Sequence, residues 1–289
     1  LLRFVKWQYC LRLLGAGNIT WRTSLLVFFS GLSMTVTPGK IGEWLKSFLL
    51  REVNSTPIAA SAPIIVAERL TDGMALIFLA AIGLIVYAYA WQMLFLIFLL
   101  CIAVLVVVQW RPLALKLLSI GGRLPFISRR VDSLNQFYES SYLLLRAKSL
   151  LLAIGIGLVS WFGECVAFFF VLVGLGLTPS TLLLLQATFI LGASVLIASV
   201  AFVPGGLAVA EGSITGMLLL LAVTNEPATA AAATLLIRLC TLWFGVAVGV
   251  AALAAFTRQM RSLGFLNHDG HAASSLQVAE GEAQREIYR

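Results

Sequence analysis

FVPGGLAVAEGS, residues Phe202 to Ser213, interrupts about forty residues that are otherwise almost wholly apolar. It sets a proline, two adjacent glycines and a carboxylate where a helix would have to run unbroken. A helix interior loses about 3 kcal/mol at a proline and about 1 kcal/mol at a glycine. The surroundings say what kind of helix is at stake. Of the 289 residues 60% are hydrophobic and 11% charged, against roughly 25% charged in a soluble domain. Met74 to Val86, Met93 to Val108, Leu150 to Leu175, Leu182 to Val203 and Ala228 to Phe256 approach or exceed the ~20 apolar residues that cross a bilayer. With no period-2 alternation to suggest a barrel, the chain is expected to be an all-α, polytopic integral membrane protein.

Charge sets the expected threading. Arg111, Lys116, Arg123, Arg129, Arg130, Arg146 and Lys148 face only Asp132 and Glu139 between Trp110 and Ser149, so loop 111–148 is read as cytoplasmic. Tyr87 to Gln92 and Gly174 to Thr181 carry no charge, and Val223 to Pro227 carries only Glu226; these are read as external. The net charge of +7 suits an anionic inner leaflet, and nothing suggests nucleic acid. Residues 182–221 must then begin and end outside. Either a discontinuous pair of half-helices turns back at Val203 to Gly206, or two complete spans do so, and length alone leaves both open. Arg3, Lys6, Arg12 and Arg22 place the start inside, with residues 1–22 an interfacial segment and Trp7 and Tyr9 at headgroup level. Leu25 to Val36 is too short to span and ends at TPGKIGEWLK, which reads as a dip turning at Pro38 and Gly39. The chain opens at Leu1 without a Met or signal-peptide pattern, so helices upstream are expected to be missing.

The two breaks are followed by similar material. Pro57 opens PIAASAPIIVAERLTDG and Pro227 opens PATAAAATLLIRLCTLW, each proline suiting a first helical turn. Arg69 and Arg238 lie ~17 Å along these helices, inside the membrane. Each half thus carries a Pro-Gly break, a Glu a few residues later (Glu43, Glu211) and an Arg on the next helix. Three expected crossings between the breaks invert one half relative to the other, the plan of transporters whose broken helices form a midplane site. The division expected is a membrane domain at 23–257, with a first repeat at 23–90, linking helices and loop at 91–181 and a second repeat at 182–257, then a polar cytoplasmic tail at 258–289.

A charge near the bilayer centre costs roughly 3 kcal/mol or more, so such residues have partners or a task. Pairing is expected of the Glu43/Lys46 and Glu68/Arg69/Asp72 clusters, and of Glu211 with Arg238. These pairs either brace helices or, with glycine amides opened at Gly205 or Gly39, recognise an anionic phosphate. Glu164 either carries protons, pairs with an arginine or is solvated near its helix end. His268 and His271 lie in the polar tail, and Cys10, Cys101, Cys165 and Cys240 are far apart; neither metal nor cofactor is expected.

At TPGKIGEWLKSFLL, ERLTDG and VPGGLAVAEGS the chain resembles the lysylphosphatidylglycerol synthase transmembrane family. By that resemblance Pro38, Gly39, Gly42, Glu43, Glu68, Arg69, Asp72, Pro204, Gly205, Gly206 and Glu211 occupy motif positions. Lys40 and Lys46 stand where Arg is often found, and Ala208 where another Gly is usual, which would tighten the turn or narrow headgroup access. The resemblance implies about eight transmembrane segments with re-entrant helices and movement of aminoacylated phosphatidylglycerol, or of polyprenyl or hopanoid-type lipids, across a bacterial-type inner membrane. The residues present hold no transferase domain, so synthesis is not expected of them.

A translocator of an anionic phospholipid leads. An intramembrane enzyme on a lipid-linked substrate would use Glu43, Asp72 or Glu211 as base, but no HExxH, nucleophile-base pair or nucleotide-binding motif supports it. A third reading docks a separate lipid synthase or glycosyltransferase on loop 111–148.

Overall fold

A computed structural model describes residues 1–37, 42–83, 91–109, 131–201 and 203–262, which form helices joined by short turns with no strand among them. Helices are α1 (Leu2–Leu13), α2 (Trp21–Ser30), α3 (Leu45–Asn54), α4 (Ile58–Gly83), α5 (Trp91–Gln109), α6 (Val131–Leu144), α7 (Ala147–Gly174), α8 (Thr181–Val200), α9 (Val209–Leu220), α10 (Pro227–Arg238) and α11 (Phe244–Ser262). A π-helical turn, Leu239–Trp243, joins α10 to α11 without interruption. Among the described residues, α7, α8 and the continuous Pro227–Ser262 run are long and apolar enough to cross a membrane. Their 28, 20 and 36 residues correspond to about 42, 30 and 54 Å at 1.5 Å per residue.

Helix α4 is the hub. Its 26 residues pack against α6, α7 and α8, and small residues allow the approach. A Cβ placed on Gly157 of α7 would lie 3.3 Å from the Ala75 methyl, and one on Gly192 of α8 would lie 3.6 Å from that of Ala80. Between apolar helices in lipid, such close backbone packing takes the place of the hydrophobic drive. Local signals fix the ends: the Thr20 hydroxyl accepts from Thr23 N–H at 3.3 Å to cap α2, and the Ser180 hydroxyl accepts from Leu183 N–H at 3.1 Å to cap α8.

Both breaks are real interruptions of the helical ladder. The first runs from the 3₁₀ turn Gly31–Met34 to the start of α3, with Pro38, Gly39 and Lys40 outside the described residues. In the second, α8 is membrane-length while α9 has only 12 residues, so the segment is neither two half-helices nor two full spans. The breaks touch: a Cβ at Gly205 would sit 3.2 Å from Val36 Cα. Helix α11 also packs along α2 and the first break, where Gly249 lies directly on the Leu32–Ser33 backbone.

At the start of the chain Trp7 is fully enclosed by protein: its ring lies 6.2 Å from Phe28 and its indole N–H donates to the Ser24 hydroxyl at 3.2 Å. Helix α1 packs on α7, α2 and α4, because its buried face, Phe4, Lys6, Trp7, Cys10 and Leu11, completes the core and brings a charge with it. Tail residues 263–289, with His268 and His271, and basic residues 111–130 lie outside the described residues.

Candidate functional site

Three residues on one face of α4 organise the first polar cluster. Glu68 and Asp72 are one turn apart and Arg69 lies three residues before Asp72, so all can meet neighbours on the same side. Lys46 of α3 reaches Glu68 at 2.5 Å, with both side chains 5% exposed. Lys6 of α1 reaches Asp72 at 2.5 Å and the Thr71 hydroxyl at 3.3 Å. Arg69 lies 3.1 Å from Glu43, within the first break, and 3.7 Å from Asp72. The two clusters therefore pair with each other: Lys46 takes Glu68 and Arg69 takes Glu43.

Such pairs hold helices together by penalty. Removing one partner of a buried pair strands the other charge, a loss of about 3–5 kcal/mol. Lys46 also lies 5.2 Å from the Trp7 ring and 5.4 Å from Phe28, so aromatic faces supply part of the solvation it has lost. Gly31 is filled by the aliphatic stem of Lys46 and Gly42 by Met34. The Gly42 N–H donates to the Thr37 hydroxyl at 2.7 Å, which donates in turn to the Met34 carbonyl at 2.7 Å, closing the break on itself.

A cavity of about 60 Å³ opens among these groups, and its wall carries Arg3, Lys6, Lys46 and Arg69 against Glu43, Glu68 and Asp72. Four cations face three carboxylates on this wall, and the fourth cation, Arg3, is balanced by Glu164 outside it. The two lysines are 2% and 5% exposed, whereas Arg69 is 37% and Arg3 31% exposed. Only the arginines present accessible positive surface. Arg3 also pairs with Glu164 at 2.5 Å, so this intramembrane acid of α7 is an arginine partner. In the sequence Arg3 and Lys6 read as topology charges only; their three-residue spacing, which sets them one turn apart on the same side of α1, is the signal that could place them here.

At the second break, Arg238 Nε donates to Glu211 at 2.6 Å and a terminal nitrogen donates to the Gly205 carbonyl at 2.9 Å. Glu211 sits in the first turn of α9, where the helix dipole favours an acid. One side chain thus ties α10 to α9 and to the break itself. Gly205 and Gly206 have φ of 59° and 65°, which only glycine adopts freely, and both are buried. Two amides that follow Gly205 are taken within the turn: Gly206 N–H donates to the Val203 carbonyl at 2.9 Å and Leu207 N–H to that of Pro204 at 3.0 Å, while Gly39 lies outside the described residues. The turn after Pro204 is too tight to leave them over, and what Gly205 offers is its carbonyl.

A family model described as the lysylphosphatidylglycerol synthase TM region matches residues 1–249. A UPF0104 membrane protein of Methanothermobacter thermautotrophicus (strain Delta H) is 25% identical over 254 residues, covering 80% of this chain and 74% of that protein. No solved structure matches.

Proposed function

Because the chain belongs to the family of lysylphosphatidylglycerol synthase transmembrane regions, we propose that it moves a lipid with an anionic headgroup, of the aminoacylated or polyprenyl-phospholipid type, between membrane leaflets. The observation that carries this reading is an arginine held by a glutamate at each of two helix breaks that touch: Arg69 on Glu43, and Arg238 on Glu211 and the Gly205 carbonyl. A guanidinium offers five N–H donors in a planar fork, so one edge can be braced by a carboxylate while another receives phosphate oxygens. In this reading residues 23–90 and 182–257 are inverted repeats. Their breaks form the polar path for the headgroup, and the acyl chains stay in the bilayer. The membrane is a bacterial-type inner membrane with loop 111–148 and the C-terminal tail in the cytoplasm. A separate lipid synthase or glycosyltransferase would supply or use the lipid.

The test is movement of fluorescent phosphatidylglycerol in proteoliposomes, read by dithionite quenching of the outer leaflet. Full-length wild type is expected to bring inner-leaflet dye within reach of the quencher. Arg69→Ala or Arg238→Ala is expected to slow this at least about tenfold, the effect of losing about 1.4 kcal/mol of stabilisation, while the protein still purifies as a folded species. Unchanged transport in both variants sinks the proposal.

A further inference from the structure

Arg3 is held in a way that suits exchange of partners. Its Nε donates to the Ser160 hydroxyl at 3.3 Å, one terminal nitrogen donates to Glu164 at 2.5 Å, and the guanidinium carbon lies 4.3 Å from the centre of the Trp161 ring. The ring and hydroxyl fix the plane of the fork, and the contacts from α7 leave further N–H donors to the cavity that Arg3 shares with Arg69. Unlike the enclosed acids paired with the two lysines, Glu164 is itself 29% exposed, so it is not sealed inside protein when its partner turns away. A cavity of about 60 Å³ has room for a few waters or for one phosphate-sized anion.

We propose that Arg3 is a second anion-binding guanidinium: with Arg69 it clamps one phosphate group in the cavity between α1 and α4, and Glu164 is the competing anion that holds Arg3 when the cavity is empty. The proposal rests on the lipid-translocation reading for its biological ligand, but binding is measurable without transport. Phosphate oxygens borne by a lipid diester and by free phosphate share this chemistry, and the two sources are separated in the test. Ser160 and Trp161 act as positioning residues that keep the fork planar toward the cavity. Glu164 lowers affinity by competition, so loss of Arg3 and loss of the Glu164 charge act in opposite directions. An ion pair that only braces α1 against α7 has no such opposition, because breaking it from either side gives the same result.

The experiment is titration calorimetry on the purified full chain in a neutral detergent, using dihexanoyl phosphatidylglycerol, dihexanoyl phosphatidylcholine and inorganic phosphate as probes. Arg3→Gln is expected to weaken phosphatidylglycerol binding at least tenfold, and Glu164→Gln to strengthen it three- to tenfold, with the phosphatidylcholine signal weak in all proteins. The same two shifts with inorganic phosphate but not with phosphatidylglycerol would keep the clamp and make free phosphate its ligand. Unchanged affinity in Arg3→Gln overturns the proposal, as does weakened or unchanged affinity in Glu164→Gln, which keeps the arginine and tests the idea even if Arg3→Gln does not fold. Wild type binding neither anion overturns it as well. Transport lost from the proteoliposome assay while these shifts stand would remove only the translocation reading.

Discussion

Ala208 has φ 64° and ψ −42°, a conformation a residue with a Cβ rarely adopts. It is the N-cap of α9, and its carbonyl accepts the Gly212 N–H at 2.8 Å, so it cannot relax without moving the first turn that carries Glu211. Strain of this kind costs roughly 1–3 kcal/mol. Replacement by glycine removes it, against about 0.4–1 kcal/mol of added freedom in the unfolded chain. Ala208→Gly is therefore expected to stabilise the protein by about 1 kcal/mol, a rise of roughly 2–4 °C in thermal midpoint for a chain of this size. Differential scanning fluorimetry in detergent checks it, and a fall in midpoint would mean that the methyl makes packing contacts worth more than the strain. The position was legible from sequence as an alanine where the resembled family usually has glycine. Its consequence for Glu211 was not, because a backbone angle is fixed by the two elements that the turn must join.

Helix packing tests the chain at the next scale. Gly245 and Gly249 lie one turn apart in α11, yet a Cβ on Gly245 meets nothing within 4 Å while Gly249 rests on the Leu32–Ser33 backbone. By helix propensity both should gain about 1 kcal/mol on changing to alanine. Gly245→Ala is expected to do so, whereas Gly249→Ala should lose about 1–3 kcal/mol, since the obstacle is backbone and cannot rotate away. Thermal unfolding of the two variants side by side decides it; equal midpoints would mean that α11 does not seat on the first break. This contact shows where reading the sequence stops. Apolar runs identified α7, α8 and the α10–α11 run because each is a local signal tens of residues long. The pairing of Glu211 with Arg238 followed from their common distance from proline and break. The seat of α11 on the first break joins residues more than two hundred positions apart and leaves no local mark except a glycine. The same holds for α1: its basic residues resembled a topology signal, and only the packing of Trp7 beneath Phe28 revealed that Lys6 is a buried partner of Asp72.

Across the whole molecule, helix lengths and one contact constrain how the second break sits. Arg238 ends the 12 residues of α10, ~17 Å beyond Pro227, and touches the Gly205 carbonyl. Gly205 follows the 20 residues of α8, ~30 Å of helix. For both paths to start at one membrane surface, α8 must incline or begin above α10, and α9 with residues 221–226 must carry the chain back to that surface. The positive-inside assignment requires this return, since Thr178 and Asn225 would share the external side, with Lys148 and the Arg258/Arg261 end of α11 opposite. Single cysteines test it on a Cys240→Ser background, because Cys10, Cys101 and Cys165 are buried and Cys240 is exposed. Thr178→Cys and Asn225→Cys are expected to react with an impermeant maleimide added to intact cells. Lys148→Cys and Ser262→Cys should react only after permeabilisation, and all four positions are exposed. Labelling of Asn225→Cys only after permeabilisation would put α10 and the second break the other way up. The two arginine sites would then approach from the same leaflet, and an inverted-repeat path for a headgroup would be lost with them.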